Sequence, residues 1–143
     1  MLSDILAAFL YAQLEVSQAI QAKRQHIWNF YHQHLTDWAR ENGVCTPTVP
    51  DHCEQPYHMY YLLLPSLETR TQFIARLKEK GVLSVFHYLP LHLSDMGQQF
   101  GGKAGDCPVT EDVSDRLVRL PFYTAMTEDE MNWVVESLLS YRL

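Results

Sequence analysis

The sequence is short of two features that would each point to a class of protein. Its 143 residues contain no apolar run approaching the roughly 20 residues that a membrane-spanning helix needs. Lysine and arginine number 11 against 17 aspartates and glutamates, and the net charge is −6. A nucleic-acid binder needs clustered basic side chains to neutralise phosphates. We therefore expect neither a membrane nor a nucleic acid as a partner.

Cysteine is scarce as well, and the start of the chain has no targeting pattern. The three cysteines (Cys45, Cys53 and Cys107) form no C-x-x-C pair, and an odd number suits reduced thiols better than a disulfide framework. The segment MLSDILAAFLYAQLE carries neither a basic n-region nor a cleavage site. We therefore expect a cytoplasmic protein. What is present is the composition of a globular domain, 47% hydrophobic and 20% charged.

A long helix is predicted at the start, where residues 2–42 contain neither proline nor glycine. Ser3 is an expected N-cap, and Gly43 stands where a C′ glycine would end the helix. A single helix of about 38 residues would be roughly 57 Å long, whereas a domain of this size has a radius of gyration of only about 15 Å. The helix is therefore expected to bend in its polar middle or to protrude. This divides the chain into an interdomain helix (1–42) and a small α+β domain (43–143).

The rest of the chain alternates strand and helix patterns. The predicted strands are 57–64, 82–89 and 117–123. The predicted helices begin at the capping-box patterns Thr69–Gln72 and Thr127–Glu130 and around Glu111–Arg116. A glycine-rich loop is predicted over 94–110. This order predicts an α+β fold in which helices pack on a small sheet.

The stretch GQQFGGKA (Gly97–Ala104) matches G-x-x-x-x-G-K, the start of a phosphate-binding P-loop. The motif needs a Ser or Thr after the lysine to hold Mg²⁺, and a helix whose N-terminus receives the phosphates. Here Ala104 takes the place of the hydroxyl residue, and Cys107-Pro108 follows instead of a helix pattern. We therefore interpret the stretch as a flexible loop.

No metal or nucleophile pattern is strong. Zinc could be bound by four residues whose spacing fits no tight knuckle, namely Cys45, His52, Cys53 and His58. A proline-rich loop explains them without a metal, so we predict no metal site. No Ser/His/Asp constellation is evident. The loop acids, among them Asp95, Asp106, Glu111 and Asp112, are expected to cap helices or face solvent.

The segment VFHYLPLHL (85–93) is the strongest candidate for a site. On a strand, His87 would share a face with Val85 and Leu89, opposite Phe86 and Tyr88. His92 lies beyond Pro90, which ends the strand, so the two histidines need not share a face. A residue just past a strand end, before a glycine-rich loop, stands where binding groups usually lie. Both roles stay open here, a binding residue and a core histidine.

Three segments, taken together, resemble one enzyme family. They are SDILAAFLYAQLE (3–15), FHYLPLH (86–92) and GDCPVTEDVSDRLVRLPFYTAMTEDE (105–130). They resemble the C-terminal region of sugar aminotransferases of the DegT/DnrJ/EryC1/StrS family, and the resemblance covers essentially the whole chain. It implies the small C-terminal domain of a fold-type I aminotransferase, with a small, mostly antiparallel sheet and a long N-terminal helix.

The resemblance implies pyridoxal phosphate (PLP) as the cofactor of the intact enzyme. It also implies transfer of an amino group from glutamate to a dTDP-4-keto-6-deoxyhexose. In the family a lysine Schiff base holds the cofactor, and none of the four lysines here stands in the family's S-x-x-K-N-like context. We therefore expect no catalytic residue in this chain, no cofactor bound to it, and no activity without the missing large domain.

By the same resemblance, His87, Tyr88 and His92 are expected to face the nucleotide-sugar pocket, with 94–106 as a flexible rim. The apolar first helix is expected to cause self-association wherever the large domain does not cover it. Two other interpretations stay open. One is a non-catalytic α+β module that binds a ligand or partner, and the other is the zinc domain.

Overall fold

The computed structural model describes residues 3–142. These form six α-helices, one 3-10 helix and a three-stranded sheet. The helices are α1 (Asp4–Glu15), α2 (Ser17–Glu41), α3 (Leu67–Glu79), α4 (Asp95–Gln99), α5 (Pro108–Arg116) and α6 (Glu128–Leu139). The strands are β1 (Tyr61–Leu63), β2 (Val85–Phe86) and β3 (Leu117–Arg119), and the 3-10 helix is Leu91–Leu93. The predicted α+β fold is confirmed.

The predicted N-terminal helix is interrupted once, at Val16, inside its polar middle. Ser3 caps α1 as expected, because its side-chain oxygen accepts a hydrogen bond from Leu6 N at 3.4 Å. Gly43 follows α2 with a φ of +65°, the left-handed conformation that commonly ends a helix. Leu2, where the predicted helix began, lies outside the described residues. No residue of α1 is buried, whereas α2 buries six.

The core lies between α2, α3, α6 and the sheet. Two hydrogen bonds tie α2 to the C-terminal part of the chain: Tyr31 OH donates to Pro121 O at 2.9 Å, and Trp38 Nε1 donates to Tyr141 O at 2.8 Å. Leu139, the last residue of α6, is exposed. The residues with the least exposed side chains are Tyr31, Leu35, Tyr60, Leu62, Leu64, Phe73, Val118 and Leu138.

The sheet has the order β1-β3-β2, and both pairings are antiparallel. Its strands are shorter than predicted. Val85 pairs with Arg119, and Phe86 pairs with Val118. The partner strand β3 begins only at Leu117, directly after the end of α5. Tyr88 and Leu89 therefore have no partner in β3. At its other end, β3 is followed by Leu120 and then by Pro121, which has no N–H to extend the ladder.

Three helix predictions need correction. α3 begins at Leu67, not at the Thr69–Gln72 pattern, because Ser66 is its N-cap and accepts a hydrogen bond from Thr69 N at 3.1 Å. The predicted loop 94–110 contains α4, whose cap is Ser94. α5 begins at Pro108 rather than near Glu111, since proline suits the first turn of a helix. The capping box Thr127–Glu130 at the start of α6 is confirmed.

Within residues 3–142, no helix is both long enough and apolar enough to cross a membrane.

Candidate functional site

The three predicted site residues line one cleft. It has a volume of about 600 Å³ and lies between 87–92, which we name the histidine segment, and α5. His87, Tyr88 and His92 all contribute to its wall. The other lining residues are mostly apolar: Leu89, Pro90, Leu91, Cys107, Val109, Thr110, Val113, Ser114 and Leu117. The structure therefore brings together residues that the sequence only placed near one another.

His87 follows directly on β2 and is half-buried. Its Nδ1 is buried and has no hydrogen-bond partner among the described residues. Burial lowers the pKa of His87, and the nearby charges of Arg119 and His58 lower it further. Burial and these charges therefore favour the neutral form of the ring. An unpaired buried nitrogen is costly in free energy, and no protein group among the described residues offsets this cost at His87.

Tyr88 is the most exposed of the three, with 73% of its surface accessible. Its ring contacts His87 edge to face, with 5.0 Å between the ring centroids, and the guanidinium carbon of Arg119 lies 5.6 Å from the ring centroid. The prediction that Tyr88 shares a strand face with Phe86 was wrong, because β2 ends at Phe86. Tyr88 presents an exposed phenol at the edge of the cleft.

His92 lies on the 3-10 helix and is paired with a residue that the sequence analysis assigned to capping or solvent. The distance from His92 Nε2 to Glu111 Oε1 is 2.8 Å. The same carboxylate accepts hydrogen bonds from Gly105 N at 2.9 Å and Cys107 N at 3.4 Å. The hydrogen bond with His92 has the largest effect in holding the pKa of Glu111 below its usual range. The hydrogen bonds from the backbone N–H groups of Gly105 and Cys107 lower this pKa further. Glu111 does cap α5 through Cys107, but it also joins the histidine segment to the start of α5.

No local pattern would have found this pair, because 19 positions separate the two residues. The glycines of Gly97–Ala104 have a packing role in the same region. A Cβ on Gly97 would lie 2.0 Å from Leu91 O, and one on Gly102 would lie 2.4 Å from His92 O. Gly97 is inside α4, and no helix begins after Lys103 to receive a phosphate until Pro108. The stretch does not have the strand–loop–helix geometry of a P-loop.

The zinc interpretation requires several metal-binding side chains close together. Within residues 3–142 there is no group of three or more His, Cys, Asp or Glu side chains close enough to hold a metal ion. Cys45, Cys53 and Cys107 are exposed free thiols. The four residues proposed as zinc ligands are therefore not gathered at one point.

Comparisons with known proteins agree with the fold. A model of the DegT/DnrJ/EryC1/StrS aminotransferase family matches residues 1–139. An uncharacterised protein of Methanocaldococcus jannaschii is 33% identical over 141 residues, which are 96% of this chain and 36% of that protein. The dTDP-3-amino-3,4,6-trideoxy-alpha-D-glucose transaminase of Micromonospora megalomicea is 26% identical over 96% of this chain and 36% of its own length.

Among solved structures, the PMP form of Spr1654 from Streptococcus pneumoniae superposes with a TM-score of 0.87. The match covers 97% of this chain and 35% of that one at 22% identity, which shows a shared fold. The chain spans about a third of the length of the curated relatives that it matches. Because the family model extends over residues 1–139, the chain belongs to the DegT/DnrJ/EryC1/StrS aminotransferase family.

Proposed function

We propose that this chain forms the C-terminal part of a PLP-dependent nucleotide-sugar aminotransferase and supplies one wall of its sugar-nucleotide pocket. Membership of the aminotransferase family supports the enzyme class. The single observation that carries the site is the cleft on which His87, Tyr88 and His92 meet. Its volume of about 600 Å³ and its apolar wall with a few polar groups are typical of small-molecule sites.

The substrate that we propose is a dTDP-4-keto-6-deoxyhexose, with glutamate as the amino donor and dTDP-4-amino-4,6-dideoxygalactose as the product. The family resemblance of 86–92 and 105–130 supports this choice. The Micromonospora relative is, by its name, a transaminase of a dTDP-linked sugar. Such a product would serve the cytoplasmic synthesis of lipopolysaccharide or enterobacterial common antigen.

The lysines of this chain do not fit the covalent attachment of PLP. A lysine that forms a Schiff base is enclosed, so that its amine loses its proton readily. Lys23, Lys78, Lys80 and Lys103 are all exposed, and the Lys80 ammonium is hydrogen-bonded to Ser140 Oγ. When bound in an enzyme, PLP would supply an electron sink for the electron pair left when a bond breaks at the carbon that carries the amino group. We infer that another part of the intact enzyme supplies the lysine, and that the chain alone transfers no amino group.

The residues of the cleft would bind and orient the sugar nucleotide. The exposed phenol of Tyr88 can donate a hydrogen bond, and the half-buried ring of His87 forms part of the same wall. The apolar wall, including Leu89 and Val109, would exclude water from the deoxysugar face. We assign to these contacts binding and orientation, and no proton transfer.

Titration of the ¹⁵N-labelled chain with dTDP-4-keto-6-deoxyglucose tests this role. We expect chemical-shift changes confined to the histidine segment and the first turns of α5. Replacing Tyr88 by alanine should weaken binding about tenfold, the effect of one lost hydrogen bond. His34→Ala, on the exposed face of α2, is the matched control and should bind like the wild type. Shifts that lie outside the cleft, or full binding by Tyr88→Ala, would refute the assignment.

A non-catalytic module is the second candidate, and one observation favours it. Leu89 and Leu91 are exposed apolar side chains at the rim of the cleft, as expected of a surface that meets a partner. The DNA upstream of the coding region distinguishes the two functions. A lysine-bearing aminotransferase large domain encoded there, in frame or across a frameshift, supports the enzyme. An unrelated gene with an independent promoter supports the module.

A further inference from the structure

The imidazole of His92 is held by a carboxylate that is itself fixed by the backbone. Glu111 Oε1 lies 2.8 Å from His92 Nε2 and 2.9 Å from Gly105 N. Cys107 N also donates to this oxygen, at 3.4 Å, so three groups from two segments converge on one oxygen atom. Glu111 projects from the first turn of α5, where the helix dipole favours a negative charge.

Two glycines pack closely against the backbone around His92. Gly97 and Gly102 approach the 3-10 helix so closely that a Cβ on either would collide with a main-chain oxygen of Leu91 or His92. Gly102 N also donates to Gly97 O at 3.0 Å, which closes the turn between the two glycines. The stretch Gly97–Ala104, which does not form a P-loop, thus packs against the backbone of Leu91 and His92.

The pair is shielded from water to an unusual degree for this chain. His92 and Glu111 expose 15% and 24% of their side chains, less than the partners of the other three ion pairs found among residues 3–142. A carboxylate that is ionised accepts hydrogen bonds but cannot donate them. His92 must then carry a hydrogen on Nε2, and in the neutral ring Nδ1 is left as an acceptor. Nδ1 has no protein partner among the described residues.

We propose that Glu111 is a positioning residue, which fixes the ring of His92 with Nε2 protonated and Nδ1 free to accept a hydrogen bond from a hydroxyl of the sugar. This assignment of the sugar contact rests on the proposed function. The positioning itself does not, because it concerns the chain without a ligand. Holding a binding group in one orientation before the ligand arrives reduces the entropy lost on binding.

Nuclear magnetic resonance of the histidine rings tests the positioning in the free chain. We expect the Nε2 proton of His92 to be observable at neutral pH and to give a nuclear Overhauser effect to the Gly105 amide proton. Glu111→Gln should weaken this signal, because a carboxamide can pair with either ring tautomer, and Glu111→Ala should abolish it. A proton on Nδ1 in the wild type, or an unchanged Nε2 proton in Glu111→Ala, would overturn the proposal.

Glu130→Ala is the matched control. Glu130 also lies in the first turn of a helix and accepts a hydrogen bond from the backbone N–H of its N-cap, Thr127, at 2.8 Å, but its carboxylate pairs with no histidine. We expect Glu130→Ala to keep the His92 signal. Loss of that signal in Glu130→Ala would mean that helix capping in general, rather than the pair, maintains the ring.

Binding of dTDP-4-keto-6-deoxyglucose gives the second readout. Glu111→Ala should bind about tenfold more weakly, while Glu130→Ala should match the wild type. If the wild type binds no dTDP sugar, the proposed function fails, and the ring signal still decides whether Glu111 positions His92. If the sugar binds equally to the wild type and to Glu111→Ala, the sugar contact through His92 is wrong.

Discussion

The first two helices follow one another with a single residue between them, yet they relate to the core in opposite ways. α1 is apolar around most of its circumference and buries none of its residues. α2 is polar on average and buries Ile27, Trp28, Tyr31, Leu35, Trp38 and Ala39. The difference shows that total apolarity alone does not bury a helix among the described residues, whereas the one-sided pattern of α2 places its apolar face on the core.

The exposed side chains of α1 are large. They include Ile5, Leu6, Phe9, Leu10, Tyr11 and Leu14. A helix that is apolar on all sides is normally covered on all sides. In the proposed enzyme the large domain would provide that cover, whereas the described residues provide none.

The comparison is tested most strongly by the same truncation in each helix. Leu35→Ala in α2 should lower the free energy of unfolding by about 2–5 kcal/mol, because it leaves a cavity in the core. Leu6→Ala in α1 should change it by less than about 0.5 kcal/mol. Leu35 is 0% exposed and Leu6 is 56% exposed. Urea unfolding of both variants gives the two values, and equal losses would show that α1 is packed as well as α2.

The second test concerns what covers α1. We expect the chain alone to self-associate through this helix, so that replacing Ile5 and Phe9 by serine weakens the association at least about tenfold. Sedimentation equilibrium measures the association constant. Leu83→Ser changes another exposed leucine, outside α1, and should leave the association unaltered. A wild type that stays monomeric at high concentration would contradict the expectation.

A smaller effect is expected from a polar atom on the buried face of α2. Trp38→Phe keeps an aromatic ring next to Phe73 but removes the indole N–H that donates to Tyr141 O. We expect a loss of about 1 kcal/mol, the usual net value of one hydrogen bond. Unfolding in urea measures it, and Trp133→Phe, whose exposed indole donates to Lys80 O, should cost less. A larger loss for Trp133→Phe would show that exposure does not weaken such bonds here.

The same contrast explains what could be predicted from the sequence. The cap at Ser3 and the capping box Thr127–Glu130 were predictable because their partners lie within four residues. The strand lengths were not, because they depend on what stands opposite, such as Pro121 beside the end of β3. His87, Tyr88 and His92 could be selected by the resemblance, but the pairing of His92 with Glu111 depends on the approach of segments distant in sequence.

The smallest expected effect is a pH dependence of stability, and it arises from α2. His32 stacks on Trp28 with 4.6 Å between ring centroids, and its Nδ1 lies 3.3 Å from Tyr60 OH. Burial lowers the pKa of His32 in the folded chain, while the unfolded chain keeps the ordinary value of about 6.5. As the pH falls through 6.5 the unfolded chain takes up the proton first, so stability decreases until the folded histidine is protonated too.

The decrease in stability between about pH 7.5 and pH 5 should therefore be smaller in His32→Gln than in the wild type. Part should remain, because burial also lowers the pKa of His87. Replacing both histidines should remove more of the slope than either change alone. α1 contains no histidine, so the Leu6→Ala variant should keep the wild-type slope. Urea unfolding at the two pH values measures each slope, and an unaltered slope in His32→Gln would show that the partly buried ring of α2 takes up its proton as readily as in the unfolded chain.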